Sequence, residues 1–154
     1  MTNQMQDRLP RLLGYLGLLP ILFSTTLIFC GSYHLMLWRN MLLTYAVVIL
    51  SFLGALHWAF AMSIENLSIN KRHAMLVWSV VPSLIAWVAL FIPQTFGFLL
   101  LSCFFVFGLW MDIKLARLTS LPAWYLPLRF RLTIVMTFCL MAVAYHIKPA
   151  LIHA

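Results

Sequence analysis

Five long apolar runs alternate with short polar breaks along this chain. The runs are Leu12–Cys30, Met41–Ser63, Ala74–Ile92, Phe96–Met111 and Leu132–Ile147. Each comes near the roughly 20 apolar residues that a helix needs to cross a hydrocarbon core. The pattern predicts an all-α fold, an integral membrane bundle of five transmembrane helices in a single domain over residues 1–154. Pro93-Gln94-Thr95 is a tight turn, so the third and fourth runs form a helical hairpin. The largest break, residues 112–131, is the predicted cytoplasmic loop. The last two runs are slightly short, so either their helices run on into that loop or they stand nearly upright. Residues 1–11 are polar and carry Arg8 and Arg11, like the n-region of a signal peptide. The sequence Leu27–Gly31 has the outline of a lipoprotein cleavage box, but Phe29 stands where a small residue is required. The first run is also long for a signal segment, so it is read as a retained span, with Pro10 at the helix start.

Composition sharpens this picture. The chain is 64% hydrophobic and 8% charged, against about 25% charged in an ordinary soluble domain. No soluble domain fits between the runs. The net charge of +7 does not point to nucleic acid, because the basic residues sit singly or in pairs beside apolar runs. Eight of the ten Lys/Arg fall on the side of the N-terminus and of the loops after the second and fourth runs; Arg39 and Lys148 fall on the other. That bias predicts a cytoplasmic N-terminus and a periplasmic C-terminus. It also discounts the Asn66-Leu67-Ser68 glycosylation sequon. Cys30, Cys103 and Cys139 lie far apart inside apolar runs and read as small core residues.

Small residues mark predicted helix seams, where close backbone approach supplies the association that lipid does not drive. They are Gly14 and Gly17 in the first run, Ser51, Ala55 and Ala59 in the second beside Gly54, and Ser79, Ser83 and Ala86 in the third. Pro82 removes one helical hydrogen bond and frees the Trp78 carbonyl, which makes a kink or lines a cavity.

Threading gathers the unusual polar residues into one half of the bundle. His57 lies about 9 Å of helix rise from the cytoplasmic end of its run, and Ser79, Pro82 and Ser83 share that depth. Asp112 ends the fourth run; Arg129, Arg131 and Thr133 begin the fifth. A histidine in hydrocarbon must face the bundle interior. Gly54 and Ala61 flank His57 on its own helix face and leave room beside the imidazole. Asp112 is either a structural partner of Arg129 or Arg131, or the group that orients an arginine to hold an anion through its planar fork. Arg131 can equally be a topological anchor. Trp124 and Tyr125 are either interfacial anchors or an aromatic lid over the cytoplasmic mouth. Paired-histidine haem ligation is set aside, because His57 and His146 fall at opposite depths, His34 is interfacial and His153 is in the tail. No HExxH, acidic pair, phosphate loop or nucleophile elbow is present. No metal site, catalytic residue or cofactor is expected.

The stretches FLGALHWAFA (Phe52–Ala61), VPSLIAWVAL (Val81–Leu90) and PAWYLPLRFRLT (Pro122–Thr133), with Leu16–Pro20 near the start, resemble the family catalogued as domain of unknown function 3429. The matching positions are Gly54, His57, Trp58, Pro82, Asp112, Pro122, Trp124, Tyr125, Arg129 and Thr133. Family members often have glycine where this chain has Ala55 and Ala59, so this helix is expected to pack less closely. The resemblance implies five spans and an energy-coupling membrane, here the bacterial inner membrane. It carries no activity.

The expected function is that of a non-catalytic binding or accessory protein of the inner membrane. Its polar pocket for an anionic or amphipathic ligand, a lipid or quinone, would be built from His57, Trp58, Ser83, Asp112, Trp124, Tyr125, Arg129 and Thr133. The alternatives are a small subunit or assembly factor of a larger, respiratory membrane complex, a small dimeric transporter, and last an interfacial lipid enzyme. The expected partners are the bilayer and a membrane protein or a second copy of the chain.

Overall fold

A computed structural model of the chain describes residues 2–65, 67–119 and 121–147, with side chains from Arg8 onward. Asn66 of the sequon, Lys148 and His153 lie outside the described residues. Among those described there are six helices: α1 (Thr2–Leu16), α2 (Leu19–Phe29), α3 (Leu35–Ser63), α4 (Ile69–Val88), α5 (Gln94–Ala116) and α6 (Tyr125–Ile147). Four stretches are long and apolar enough to cross a membrane: Arg8–Phe29, Leu35–Ser63, Gln94–Ala116 and Tyr125–Ile147. The third apolar run does not join them. Its helix takes in Asn70, Lys71, Arg72 and His73 at the start and stops at Val88, so the helical and apolar stretches are out of step.

The first run is broken in two. Pro10 does not start the helix; it lies inside α1, which begins at Thr2. The break comes at Gly17-Leu18, because Pro20, in the first turn of α2, has no N–H to continue the ladder. The Gly17 carbonyl accepts a hydrogen bond from the Tyr45 hydroxyl of α3 instead (2.8 Å). Backbone polar groups inside hydrocarbon must be satisfied by the protein, and this bond does so across two helices. Gly31, at φ +68°, turns the chain out of α2.

α3 is the central helix and packs against α2, α4 and α5. It meets α4 where Gly54 passes Ser79. A Cβ on Gly54 would clash with the Ser79 backbone carbonyl and touch the Pro82 ring at 3.4 Å, so glycine sets this crossing distance. The buried face of α3 runs through Ala46, Leu50, Gly54, His57 and Ala61. Ala55 and Ala59 are exposed and Ser51 is half-buried, so the predicted small-residue seam turns away from the bundle. Gly54 and Ala61, at helical spacing from His57, form the packed face instead. Of the cysteines, only Cys139 is a core residue; Cys30 and Cys103 are exposed.

The core joins α2, α3, α5 and α6 around Ile21, Leu42, Leu50, Phe98, Phe105 and Leu140. Large side chains such as Phe91, Phe138 and Val77 project outward, as lipid-facing residues do. Contacts fix which segments share an end. Tyr15 and Arg131 meet at one end (3.0 Å); Asn40 and Gln94, and Phe29 and His146, meet at the other. The loop after α5 is much shorter than predicted. α5 runs on to Ala116 and α6 begins at Tyr125, so Asp112, Lys114, Arg129 and Arg131 are helical residues.

Candidate functional site

α5 and α6 extend past their apolar runs, and of the four charged residues in those extensions Asp112 and Arg129 neutralise each other. Arg129 Nε donates to Asp112 Oδ2 at 2.6 Å. Both residues are buried, Asp112 at 1% exposure and Arg129 at 6%. A lone charge at either position would be costly inside the bundle, whereas a hydrogen-bonded pair is tolerated. The Tyr125 hydroxyl donates more weakly to Asp112 Oδ1 (3.4 Å).

His57 approaches the same carboxylate from α3. Its Nε2 lies 3.5 Å from Asp112 Oδ1, within ion-pair range but without hydrogen-bond geometry. Its Nδ1 lies 3.3 Å from the Leu53 carbonyl. Both neighbours are acceptors, so whichever nitrogen carries the proton of a neutral ring meets one of them. Asp112 is thus the hub of a buried network spanning three helices: α3 through His57, α5 through itself, and α6 through Tyr125 and Arg129.

A cavity of about 420 Å³ lies on the α6 side of this network. Pro10, Leu13 and Gly14 wall it from α1, Gly17 from the break that follows, Ile49, Phe52, Leu53 and Leu56 from α3, and Leu128, Leu132 and Met136 from α6. Phe105 of α5 and Leu18 close it at depth. Its volume falls within the roughly 300–1,000 Å³ of ligand pockets. The lining is almost wholly apolar, and the polar exceptions are Trp124, Tyr125, Arg129 and Thr133. Among the described residues, Nε is the one atom of Arg129 that makes a hydrogen bond. Thr133, one helical turn further on, is 3% exposed, and its Oγ1 has no partner.

The structure therefore divides the eight candidate ligand-binding residues. Asp112, His57, Tyr125 and Arg129 form the network; Trp124, Tyr125, Arg129 and Thr133 border the cavity. His57 does not line it. It stands behind Asp112, edge-on to Trp78 (6.3 Å between ring centroids). Trp58 is half-exposed on the outer surface and Ser83 is half-buried on α4; neither reaches the cavity. The Tyr125 side chain is buried, with its hydroxyl turned into the network. Arg131 points outward to Tyr15. The sequence missed the apolar wall. At Gly14 a Cβ would meet the tips of Leu128 and Leu132 at 3.2 and 3.3 Å, so its lack of a side chain lets α6 approach α1 closely beside the cavity.

Comparison with known proteins gives a family and no activity. The family described as protein of unknown function (DUF3429) matches residues 6–145. Transmembrane protein 69 of Xenopus tropicalis is similar, with 33% identity over 129 residues that cover 83% of this chain and 50% of that protein. The chain thus spans about half the length of the curated relative it matches. No solved structure matches it.

Proposed function

Because the chain belongs to the DUF3429 family, whose function is unknown, we propose a role from its site: a non-catalytic membrane protein that binds an amphipathic ligand in the cavity between α1, α3 and α6. The observation that carries this reading is an apolar cavity of ligand size with a buried arginine on its wall. Apolar pockets with a few convergent polar groups are the usual form of small-molecule sites. Asp112 holds Arg129 in place, the Tyr125 hydroxyl donates to Asp112, and His57 stands against the same carboxylate. We place the protein in the bacterial inner membrane with five spans, α1 and α2 together forming the first. α4 is the third, completed by the apolar Ala89–Ile92 beyond its helical end. The Lys/Arg bias puts the Arg131 and Asp112 end in the cytoplasm.

Native mass spectrometry of protein extracted mildly from its own membrane tests the role. The expected result is a discrete extra mass on the wild type that is lost in Leu13→Trp, a substitution at an exposed cavity-wall position that fills the space. A bare chain in the wild type, or a mass equally retained by Leu13→Trp, would overturn the reading.

A second reading rests on the outward turn of Ala55 and Ala59. Small residues on a lipid-facing helix allow close approach of a partner helix, as a subunit or assembly factor in a larger complex needs. A chain that always migrates alone on native gels after gentle extraction would eliminate it.

A further inference from the structure

Resting on the binding role proposed above, we infer the class of ligand: an uncharged amphiphile with a hydrogen-bond-accepting carbonyl head and one flexible apolar tail. The sequence suggests an anion for Arg129, but the geometry points elsewhere. The positive charge of Arg129 is already neutralised by Asp112 at 2.6 Å. An anionic head in the cavity would add an unbalanced buried charge, which is expensive in a low-dielectric site. His57 brings no compensation to the cavity wall: it does not line the space, and both its ring nitrogens face protein acceptors.

Donors, by contrast, are in supply. A guanidinium has five N–H groups, and Asp112 engages only the one on Nε. The Tyr125 hydroxyl stands beside the guanidinium, and the remaining N–H groups belong to a residue that is 6% exposed and borders the cavity. The Thr133 hydroxyl, buried and without a partner among the described residues, lies one turn deeper on the same helix. Together they offer two sets of N–H or O–H donors to a neutral carbonyl oxygen. The tail follows from the shape of the wall. From Tyr125 to Met136 the lining extends along α6 for about 16 Å at helical rise. Its deep part, formed by Leu18, Ile49, Phe105 and Met136, has no polar side chain. The head therefore sits near Arg129 and the tail runs toward the middle of the bundle.

Photo-crosslinking of the full chain in phosphatidylcholine nanodiscs tests this. The probe is a decyl-tailed benzophenone, a neutral diaryl ketone; the competitors are 2-tridecanone, a neutral ketone, and laurate, an anion of similar length. The inference expects saturable labelling of α1 and α6 peptides, with 2-tridecanone competing at about tenfold lower concentration than laurate. Thr133→Val removes one hydrogen bond and should weaken saturation by up to about tenfold. Leu13→Trp, at an exposed position, should abolish labelling whatever the fate of the threonine variant. Laurate competing as well as the ketone, or undiminished saturation in a folded Thr133→Val, would overturn the head class and leave the cavity reading standing. Absence of saturable labelling by the ketone probe, together with no laurate retained in native mass spectra, would overturn both.

Discussion

Asp112→Asn is the most informative substitution, because it removes a charge while nearly preserving shape. In the wild type, charges 2.6 Å apart attract with about 6 kcal/mol gross at an effective dielectric near 20. The cost of burying both offsets most of this, so the intact pair contributes little net stability. The substitution does not simply return the pair to zero. It strands Arg129, 6% exposed, without its counter-charge. Breaking a buried pair costs about 3–5 kcal/mol in soluble proteins, and a central arginine costs about 2.5–3.5 kcal/mol on the membrane-insertion scale. Arg129 is near the start of α6 and can reach toward the interface, so the lower end applies, about 2–3 kcal/mol. That is roughly a thirty- to 150-fold rise in the unfolding equilibrium constant. Arg129→Met should do similar harm by stranding Asp112, while the double variant should return to within about 1 kcal/mol of the wild type. Reversible unfolding in mixed detergent and SDS micelles, followed by tryptophan fluorescence, measures all four proteins. If the double variant loses the sum of the two single losses, the charges do not act as a pair and the reasoning fails.

Gly54→Ala should destabilise by about 2 kcal/mol, since the added methyl meets the Ser79 backbone carbonyl; Ala55→Val, one residue away but exposed, should stay within about 0.5 kcal/mol. Equal losses in the same micelle titration would refute that assignment of faces. Tyr125→Phe should cost about 0.6 kcal/mol, typical of membrane hydrogen bonds, because its bond to Asp112 is long (3.4 Å); a loss above about 2 kcal/mol would make Tyr125 a principal support of the network. Orientation is readable by cysteine labelling in a background freed of Cys30, Cys103 and Cys139. An impermeant maleimide should label Ser32→Cys in whole cells and Thr119→Cys only after lysis, and the reverse pattern would invert the topology.

The sequence by itself determined the helical class, the apolar runs and the half of the bundle in which His57, Asp112, Arg129 and Thr133 meet. Each follows from local quantities: the length of an apolar run, the position of a proline, the alternation of threading. Tertiary structure decided what such quantities cannot contain. Hydropathy judges Asp112 and Arg129 one at a time and ends both helices before them. Their pairing across 17 residues of sequence carries α5 and α6 onward and moves both charges inside. Small size marks Ala55 and Gly54 alike as packing residues, but only the crossing with α4 turns Gly54 inward and Ala55 out. His57 and Arg129 read as neighbours in one pocket; three dimensions put the Asp112 carboxylate between them and the cavity on the arginine's side alone. A cavity is a relation among surfaces of several helices, so its wall is not contained in the size or hydropathy of any one residue.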